Sequence, residues 1–217
     1  EPPARWLRNR RTGKEGQALK DFVHKEDLAE LQEKIGYTFK REAYLEQALT
    51  HSSYANETRA HCPYNERQEF LGDAVLSIIV SDYLFKSSHL AEGDLTKLRA
   101  SIVCEKSLCG WAREIRLGDY ILLGKGEENS GGRERPSILA DAFEALIAAV
   151  YLDSGMERTR EFLMPFVMKL PAMASMAWSG RPMPSKMPPI MPGPRRTDMG
   201  SFVGKTGSPA LSPPESS

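Results

Sequence analysis

The sequence predicts an all-α domain followed by a long non-helical tail, and three observations support this prediction. From Glu26 to Phe166, apolar residues recur mostly at the spacing of three and four that is typical of helices. No part of this range alternates apolar and polar residues convincingly, as paired β-strands do. Ten of the 15 prolines lie from Pro171 onward, where they interrupt regular structure. We therefore expect six or seven helices, with a core that ends before the tail.

The helical pattern follows the chain through several segments, each with its own boundary signal. The expected helices are, in order, one over Leu28, Leu31 and Ile35 that Gly36 ends, one over Leu45, Ala48 and Leu49, one that begins at Asn65, one long pattern from Gly93 to Gly118, and one that begins after Ser137. The polar stretch 124–132 between the last two is rich in glycine and predicts a turn.

Composition and charge predict three regions: a basic extension over residues 1–24, a helical domain over 25–168, and a Pro-, Met- and Ser-rich tail over 169–217, expected to be disordered. The formal net charge is zero, but residues 21–168 hold 17 basic and 25 acidic residues, a net charge of −8. Domains that bind nucleic acid usually have a basic surface. The negative charge of this domain therefore argues against an RNA partner, unless cations bind between the acidic groups and the phosphates. The tail is interpreted as either a natural linker or an out-of-frame terminus.

Cysteine usage and hydropathy indicate the compartment. The three cysteines form no CxxC pair, which favours a reduced, cytoplasmic protein. No apolar run reaches the roughly 18 residues that a membrane span needs, so we expect no membrane association. Because the sequence does not begin with Met, we expect a fragment, and a lost upstream segment stays an open alternative.

The helix that begins at Asn65 is the most informative segment. Asn65 suits the N-cap position, and Gln68 stands where a capping box places its second residue. Beyond the first turn the helix is apolar nearly all round, which is typical of a central core helix. It nevertheless contains Glu69 and Asp73, which share one face at i and i+4, with Glu66 on the same side.

A second apolar helix, over residues 138–152, carries two further acids. Asp141 and Glu144 lie at i and i+3, so both carboxylates leave one face, bordered by Ala145 and Ala148. Ionised carboxylates in apolar surroundings cost several kcal/mol unless they are paired or bound to a cation. No Lys or Arg stands within either apolar stretch, so a hard ion such as Mg²⁺ or Mn²⁺ is the simplest partner. Such an ion would also bridge an acidic domain to phosphate and activate a water for phosphodiester hydrolysis.

Two other interpretations compete with this one. A single pair of acids at i and i+4 is most often a solvated face, although two pairs on two apolar helices fit that less well. A di-iron carboxylate bundle also places acids on core helices, but it expects Glu-x-x-His motifs, and none exists here. The four histidines are scattered, and no cysteine pairing indicates zinc.

The stretch Asn65-Glu-Arg-Gln-Glu-Phe-Leu-Gly-Asp-Ala-Val-Leu76 closely resembles the signature of the ribonuclease III family. Four further blocks agree in order, and the resemblance covers about residues 26–166. These blocks are Thr50–Glu57, Gly93–Ala100, Gly126–Ala145 and Tyr151–Asp153. The resemblance implies the all-α endonuclease-domain fold of that family.

The resemblance also implies roles for five acidic residues. Glu69, Asp141 and Glu144 correspond to Mg²⁺ ligands, with Mn²⁺ as a substitute, and Asp73 and Glu144 correspond to the residues designated catalytic. Glu66 matches an acid near RNA and the subunit interface and is a secondary candidate. No nucleotide cofactor is expected.

The implied activity is endonucleolytic cleavage of double-stranded RNA in rRNA, tRNA and mRNA precursors. A homodimer with one site per subunit would cut both strands and leave 5′-phosphates, 3′-hydroxyls and short 3′ overhangs, and would read the shape of the duplex. Gln68 departs from a position that is more often apolar, and the tail shows no double-stranded-RNA-binding domain. Two alternatives stay open: a catalytically weak or silent RNA-binding or ribosome-associated scaffold, and a compact rRNA-maturation enzyme that obtains its substrate through a partner.

Overall fold

The computed structural model describes residues 25–58 and 62–170 of the chain. Within these ranges the protein forms nine α-helices, and the only β-pairing there is an isolated parallel bridge between Thr50 and Leu122. The helices are α1 (Lys25–Ile35), α2 (Glu42–Ala48), α3 (Ser52–Thr58), α4 (Glu66–Ser87), α5 (Glu92–Ile102), α6 (Glu105–Glu114), α7 (Lys125–Asn129), α8 (Pro136–Ser154) and α9 (Met156–Val167). The predicted all-α class is confirmed. The basic extension 1–24 and the tail from residue 171 onward lie outside the described residues.

The expectation of six or seven helices is too low for two reasons. The long apolar pattern after Gly93 is divided into α5 and α6, because Cys104 adopts an extended backbone (φ −85°, ψ 156°) between them. The apolar spacing continues across this break, since Ile102 and Leu108 both face the core. The stretch 124–132, expected to be a turn, contains the five-residue helix α7, which has no apolar side chain to reveal it.

The core is built around α8, which is buried on almost every side. Its contact with α4 is the most extensive contact between any two of the described helices. Phe143 on α8 is fully buried, and its ring contacts Phe162 and Phe166 of α9 and Trp111 of α6. Burial of one such aromatic side chain contributes about 2 to 3 kcal/mol. Aromatic packing therefore fixes α8 against two neighbouring helices.

Asp153 near the end of α8 ties the segment before α2 to the core. Its carboxylate accepts a hydrogen bond from the Tyr37 hydroxyl at 2.6 Å and from the backbone N–H groups of Lys40 and Arg41 at 2.9 and 3.0 Å. Burial alone would raise the pKa of Asp153, but these hydrogen bonds hold the pKa below its ordinary value. The last residue of the Tyr151–Asp153 block is therefore a structural anchor.

The capping box expected at the start of α4 does not form. Asn65 occupies the N-cap position, but its side chain makes no capping hydrogen bond. Its backbone N–H donates instead to the Thr50 carbonyl oxygen at 2.9 Å, so the group that Gln68 would cap is already occupied. Gln68 is buried and donates to the Tyr44 carbonyl oxygen at 3.1 Å.

The expectation that α4 is buried nearly all round is also wrong. Three large apolar side chains on one side of the helix are exposed: Phe70 at 81%, Ile78 at 54% and Phe85 at 76%. At 100° per residue they fall within one narrow arc together with the exposed Ala74. We call these four residues the α4 stripe. None of the described helices combines the length and the apolar character that crossing a bilayer requires.

Candidate metal centre

Three carboxylates from two helices meet beside the crossing of α4 and α8. Glu69 comes from α4, and Asp141 and Glu144 come from α8. Each offers one carboxylate oxygen, and these oxygens all lie within 4.8 Å of one another. All three side chains are half-buried. The structure thus brings together the three residues for which the resemblance implied metal binding.

Gly72 explains how the two helices come close enough for this meeting. It lies one turn after Glu69, and a Cβ atom added there would stand 1.9 Å from the Glu144 carbonyl oxygen and 2.5 Å from its carbonyl carbon. Such distances are far inside van der Waals contact, so only glycine fits at this position. The backbone of α4 therefore lies directly against the residue of α8 that carries one of the three carboxylates.

Burial and mutual repulsion disfavour ionisation of the three acids. Burial, followed by the charges of Asp73, Glu69 and Asp141, raises the pKa of Glu144 to about 8. Burial and the neighbouring acids, Asp141 first, also raise the pKa of Glu69. Burial likewise raises the pKa of Asp141. A bound cation would relieve this repulsion, and a set of carboxylate oxygens suits a hard divalent ion such as Mg²⁺ or Mn²⁺.

Asp73 and Glu66 lie near the three carboxylates but outside the group whose oxygens meet. Both side chains are exposed. The charge of Asp73 acts on Glu144 and Glu69, and the charge of Glu66 acts on Glu69. Of the four carboxylates that the sequence placed around a metal, three converge and Asp73 borders them.

His51 and Glu105 also influence this site, although neither was singled out from the sequence. A charge on His51 lowers the pKa of Asp141, against the larger effect of burial, whereas the charge of Glu105 raises it, in the same direction as burial. The His51 Nδ1 atom accepts a hydrogen bond from the Ser53 backbone N–H at 3.2 Å. The signal available in the sequence was the position of His51 inside the block Thr50–Glu57, because the histidines considered alone are scattered.

Comparison with known proteins decides the family. Residues 41–170 match the family model described as ribonuclease-III-like. The chain belongs to the ribonuclease-III-like family. This match contains α2 to α9, and therefore all five acidic residues discussed above.

The chain is similar to proteins named ribonuclease 3 from two bacteria and to a solved nuclease domain. It is 58% identical over 147 residues to ribonuclease 3 of Bacillus cereus strain G9842, and 56% identical over 149 residues to that of Geobacillus kaustophilus. Each match covers 66% of this chain, and the chain spans only 60% and 61% of the length of these two relatives. The nuclease domain of ribonuclease III from Campylobacter jejuni is 45% identical, with a TM-score of 0.61. That match covers 65% of this chain and 96% of the nuclease domain.

Proposed function

We propose that this chain is a Mg²⁺-dependent endoribonuclease that cleaves both strands of double-stranded RNA. The observation that carries the proposal is the convergence of Glu69, Asp141 and Glu144 in a member of the ribonuclease-III-like family. Names of the relatives support it, since those that match are called ribonuclease 3. The expected products have 5′-phosphates, 3′-hydroxyls and short 3′ overhangs.

The residues of the site divide into those that hold the ion and one that borders it. We assign Glu69, Asp141 and Glu144 as ligands of Mg²⁺, or of Mn²⁺ as a substitute, with Glu144 also catalytic. When bound, the ion supplies the positive charge that lowers the pKa of a water molecule and stabilises the departing oxygen of the phosphodiester. Asp73 is exposed beside Glu144, where its carboxylate is available to accept a hydrogen bond from the attacking water. Glu66 is retained as a candidate contact with RNA or the partner subunit.

We assign the catalytic domain to residues 25–168 and expect precursors of rRNA, tRNA and mRNA as substrates. We also propose a cytoplasmic location, which the three free cysteines support, because a reducing compartment keeps thiols reduced. The domain is acidic, so binding of RNA phosphates depends on bound cations and on local basic side chains. We therefore expect affinity for RNA to fall steeply as salt is raised.

The α4 stripe supports a homodimer. Phe70, Ala74, Ile78 and Phe85 are exposed along one side of α4 in the isolated chain, and exposed apolar side chains grouped on one surface mark interfaces. The related Campylobacter jejuni domain is described as having a region involved in dimer formation. A second copy of this chain, related by a twofold axis, would cover the stripe with its own. Two sites at fixed separation would then cut the two strands of one duplex.

The dimer predicts that replacing Phe70 by Asp yields a monomer. Phe70 is 81% exposed in the single chain, so the change removes little from the core and places a charge in the interface. Light scattering coupled to size exclusion at micromolar concentration is expected to give the mass of two wild-type chains and of one Phe70→Asp chain. Leu90→Asp changes an exposed apolar residue outside the stripe and should leave the dimer intact. A single-chain mass for the wild type would contradict the proposal.

The activity is tested with a long end-labelled RNA duplex at low salt, in Mg²⁺ or in EDTA. We expect short duplexes with 5′-phosphates and 3′ overhangs in Mg²⁺, no cleavage in EDTA, and no cleavage of a single strand of the same sequence. The ends of the fragments are identified by their sensitivity to phosphatase and by sequencing. Binding of the duplex by a folded dimer without cleavage would contradict the nuclease and favour an RNA-binding scaffold.

A further inference from the structure

The segment between the 3₁₀ turn at Leu117–Tyr120 and α8 has an unusual means of attachment. Between Leu123 and Ile138 no apolar side chain is buried. Hydrophobic burial therefore contributes almost nothing to the position of this segment, which includes α7 and leads directly into the helix that carries Asp141. Its position must come from hydrogen bonds and ion pairs.

One set of contacts joins this segment to itself and to the 3₁₀ turn that precedes it. Arg133 donates to the carbonyl oxygens of Gly118 and Ile121, each at 2.8 Å, and pairs with both carboxylate oxygens of Glu128 at 2.7 Å. Arg135 pairs with Glu127 at 2.5 Å. These contacts fold the segment onto itself and onto the preceding turn, so they fix its shape and its C-terminal end.

The other attachment comes from α3, far away in the sequence. Glu57 accepts hydrogen bonds from the backbone N–H groups of Lys125 at 2.7 Å and Gly126 at 3.0 Å, and Ser53 accepts one from the Gly124 N–H at 2.9 Å. A Cβ atom added to Gly124 would stand 2.7 Å from a carboxylate oxygen of Glu57, so the approach is close. We call the Glu57 and Ser53 contacts the α3 clamp.

The α3 clamp acts on a segment that runs directly into α8, the helix that carries Asp141 and Glu144. Ser53 follows His51 by two residues and is hydrogen-bonded to its ring, and the charge of His51 acts on Asp141. Glu127 of α7 lies against Gly132, four residues before α8 begins, so the clamped turn is folded close to the start of that helix. Lys125 is exposed at that turn, and Glu57 fixes its backbone N–H. An exposed cation on a backbone that hydrogen bonds hold in place is suited to contact a phosphate.

On the basis of the function proposed above, we propose that Glu57 is a positioning residue for cleavage of RNA. By clamping the first turn of α7, it holds Lys125–Asn129 close to the start of α8, where Lys125 contacts the phosphate backbone of the duplex. Glu57 itself touches neither the reacting atoms nor the metal ligands. Its removal therefore weakens substrate binding and leaves the chemical step and the affinity for metal nearly unchanged.

The test compares Glu57→Ala, Glu57→Gln and the control Asn56→Ala, an exposed neighbour on α3. We expect Glu57→Ala to raise KM for duplex RNA about tenfold, the size expected for loss of charge-assisted hydrogen bonds from a positioning contact, with kcat changed less than about twofold. Glu57→Gln keeps one acceptor oxygen and should fall between wild type and Glu57→Ala. Asn56→Ala should behave as wild type. Mn²⁺ affinity, measured by electron paramagnetic resonance, should be the same in all four proteins.

Lys125→Ala identifies what the clamp positions. It should raise KM by a similar factor and reduce the dependence of log Kd on log salt by about one, as loss of one phosphate contact does. Combining it with Glu57→Ala should add little, because both changes remove the same contact. An unchanged KM in folded Glu57→Ala, or additive effects in the double variant, would overturn the proposal. A fall in Mn²⁺ affinity would overturn it too, since the clamp would then act on the ligands.

A second variant and a binding measurement distinguish failure of the role proposed for Glu57 from failure of the proposed nuclease function. If Glu57→Ala does not fold, Glu57→Gln carries the test, and a wild-type KM in that variant refutes the clamp. Kd for the duplex is also measured by fluorescence anisotropy with the Glu57 variants in a Glu144→Gln background. If wild type does not cleave RNA, the proposed function fails, while a weaker Kd on loss of Glu57 still supports the clamp and an unchanged Kd overturns it.

Discussion

Replacing Glu144 by Gln is expected to lower the rate of duplex cleavage by at least about a thousandfold, because a metal ion at such a site contributes several kcal/mol to stabilisation of the transition state. The oxygen of Glu144 lies within 4.8 Å of those of Glu69 and Asp141, so the substitution removes one of the three charges that we propose hold the ion. Single-turnover cleavage in Mg²⁺ measures the effect. Activity within tenfold of wild type would remove Glu144 from the catalytic centre.

The same substitution should stabilise the metal-free protein at neutral and mildly alkaline pH. The folded-state pKa of Glu144 is raised to about 8 from an ordinary value of 4.5, so between these values the folded state binds the proton that the unfolded state has lost. Stability of the wild type in EDTA should therefore fall as pH rises through this window, by about 2 kcal/mol once solvent screening is allowed for. Glu144→Gln carries no proton to lose, and its decline should be smaller.

Thermal unfolding of both proteins in EDTA at either end of this pH window gives the comparison. Mg²⁺ should raise the Tm of the wild type most at the alkaline end, where Glu144 is ionised and the repulsion is greatest. Equal pH dependence in the two proteins would show that burial of Glu144 does not cause the decline. The direction of the slope distinguishes this effect from that of Asp153, whose pKa is lowered and which stabilises the fold as pH rises.

Gly72→Ala should destabilise the protein by about 3 kcal/mol or more, since overpacking of a tight helix contact forces the backbones apart. The new Cβ would stand 1.9 Å from a backbone oxygen of α8, and backbone cannot move aside as a flexible side chain does. Any variant that folds must separate α4 from α8 and so move Glu69 away from Glu144. Urea unfolding and Mn²⁺ titration measure the two consequences, and both stability and affinity for metal should fall.

Gly110→Ala is the matched control. Gly110 lies inside α6, and a Cβ atom added there meets nothing within 4 Å. Alanine in place of glycine inside a helix stabilises by up to about 1 kcal/mol, so this variant should gain stability and retain its affinity for Mn²⁺. Equal losses in the two variants would show that helix propensity or the unfolded state, and not the contact with Glu144, governs the response.

The fold class and the central acids could be predicted because both depend on helical periodicity. Spacing alone predicted which acids share one face of α4 and of α8, and Asp141 and Glu144 stood out because their helix is otherwise apolar. Their convergence with Glu69 required more, namely that the helices pack face to face at Gly72. The spacing of residues does not predict that contact. The resemblance to a known family supplied the expectation that Glu69, Asp141 and Glu144 share one metal site.

Other features could not be predicted from the sequence, and each has a physical reason. Phe70 and Ile78 look like core residues, because an apolar side chain has the same pattern whether it meets its own chain or a partner. Helix α7 lacks apolar residues, so it shows no apolar periodicity from which a helix could be predicted. Glu57 acts on backbone groups far along the chain, and hydrogen bonds to backbone leave no mark on the identity of the residues that donate them. The hydrogen bond expected from the Asn65 N–H to the Gln68 side chain is absent for a related reason, because that N–H already donates to the Thr50 carbonyl oxygen.

The polar attachment of residues 124–137 gives the domain two levels of stability. Opening of this segment costs a few solvent-accessible hydrogen bonds and ion pairs, whereas separation of α4 from α8 exposes the aromatic core around Phe143. The segment can therefore detach and return many times while the helices beneath it stay packed. Heat would inactivate such a protein below the temperature at which it unfolds, and recovery on cooling would be rapid because no core has to be rebuilt.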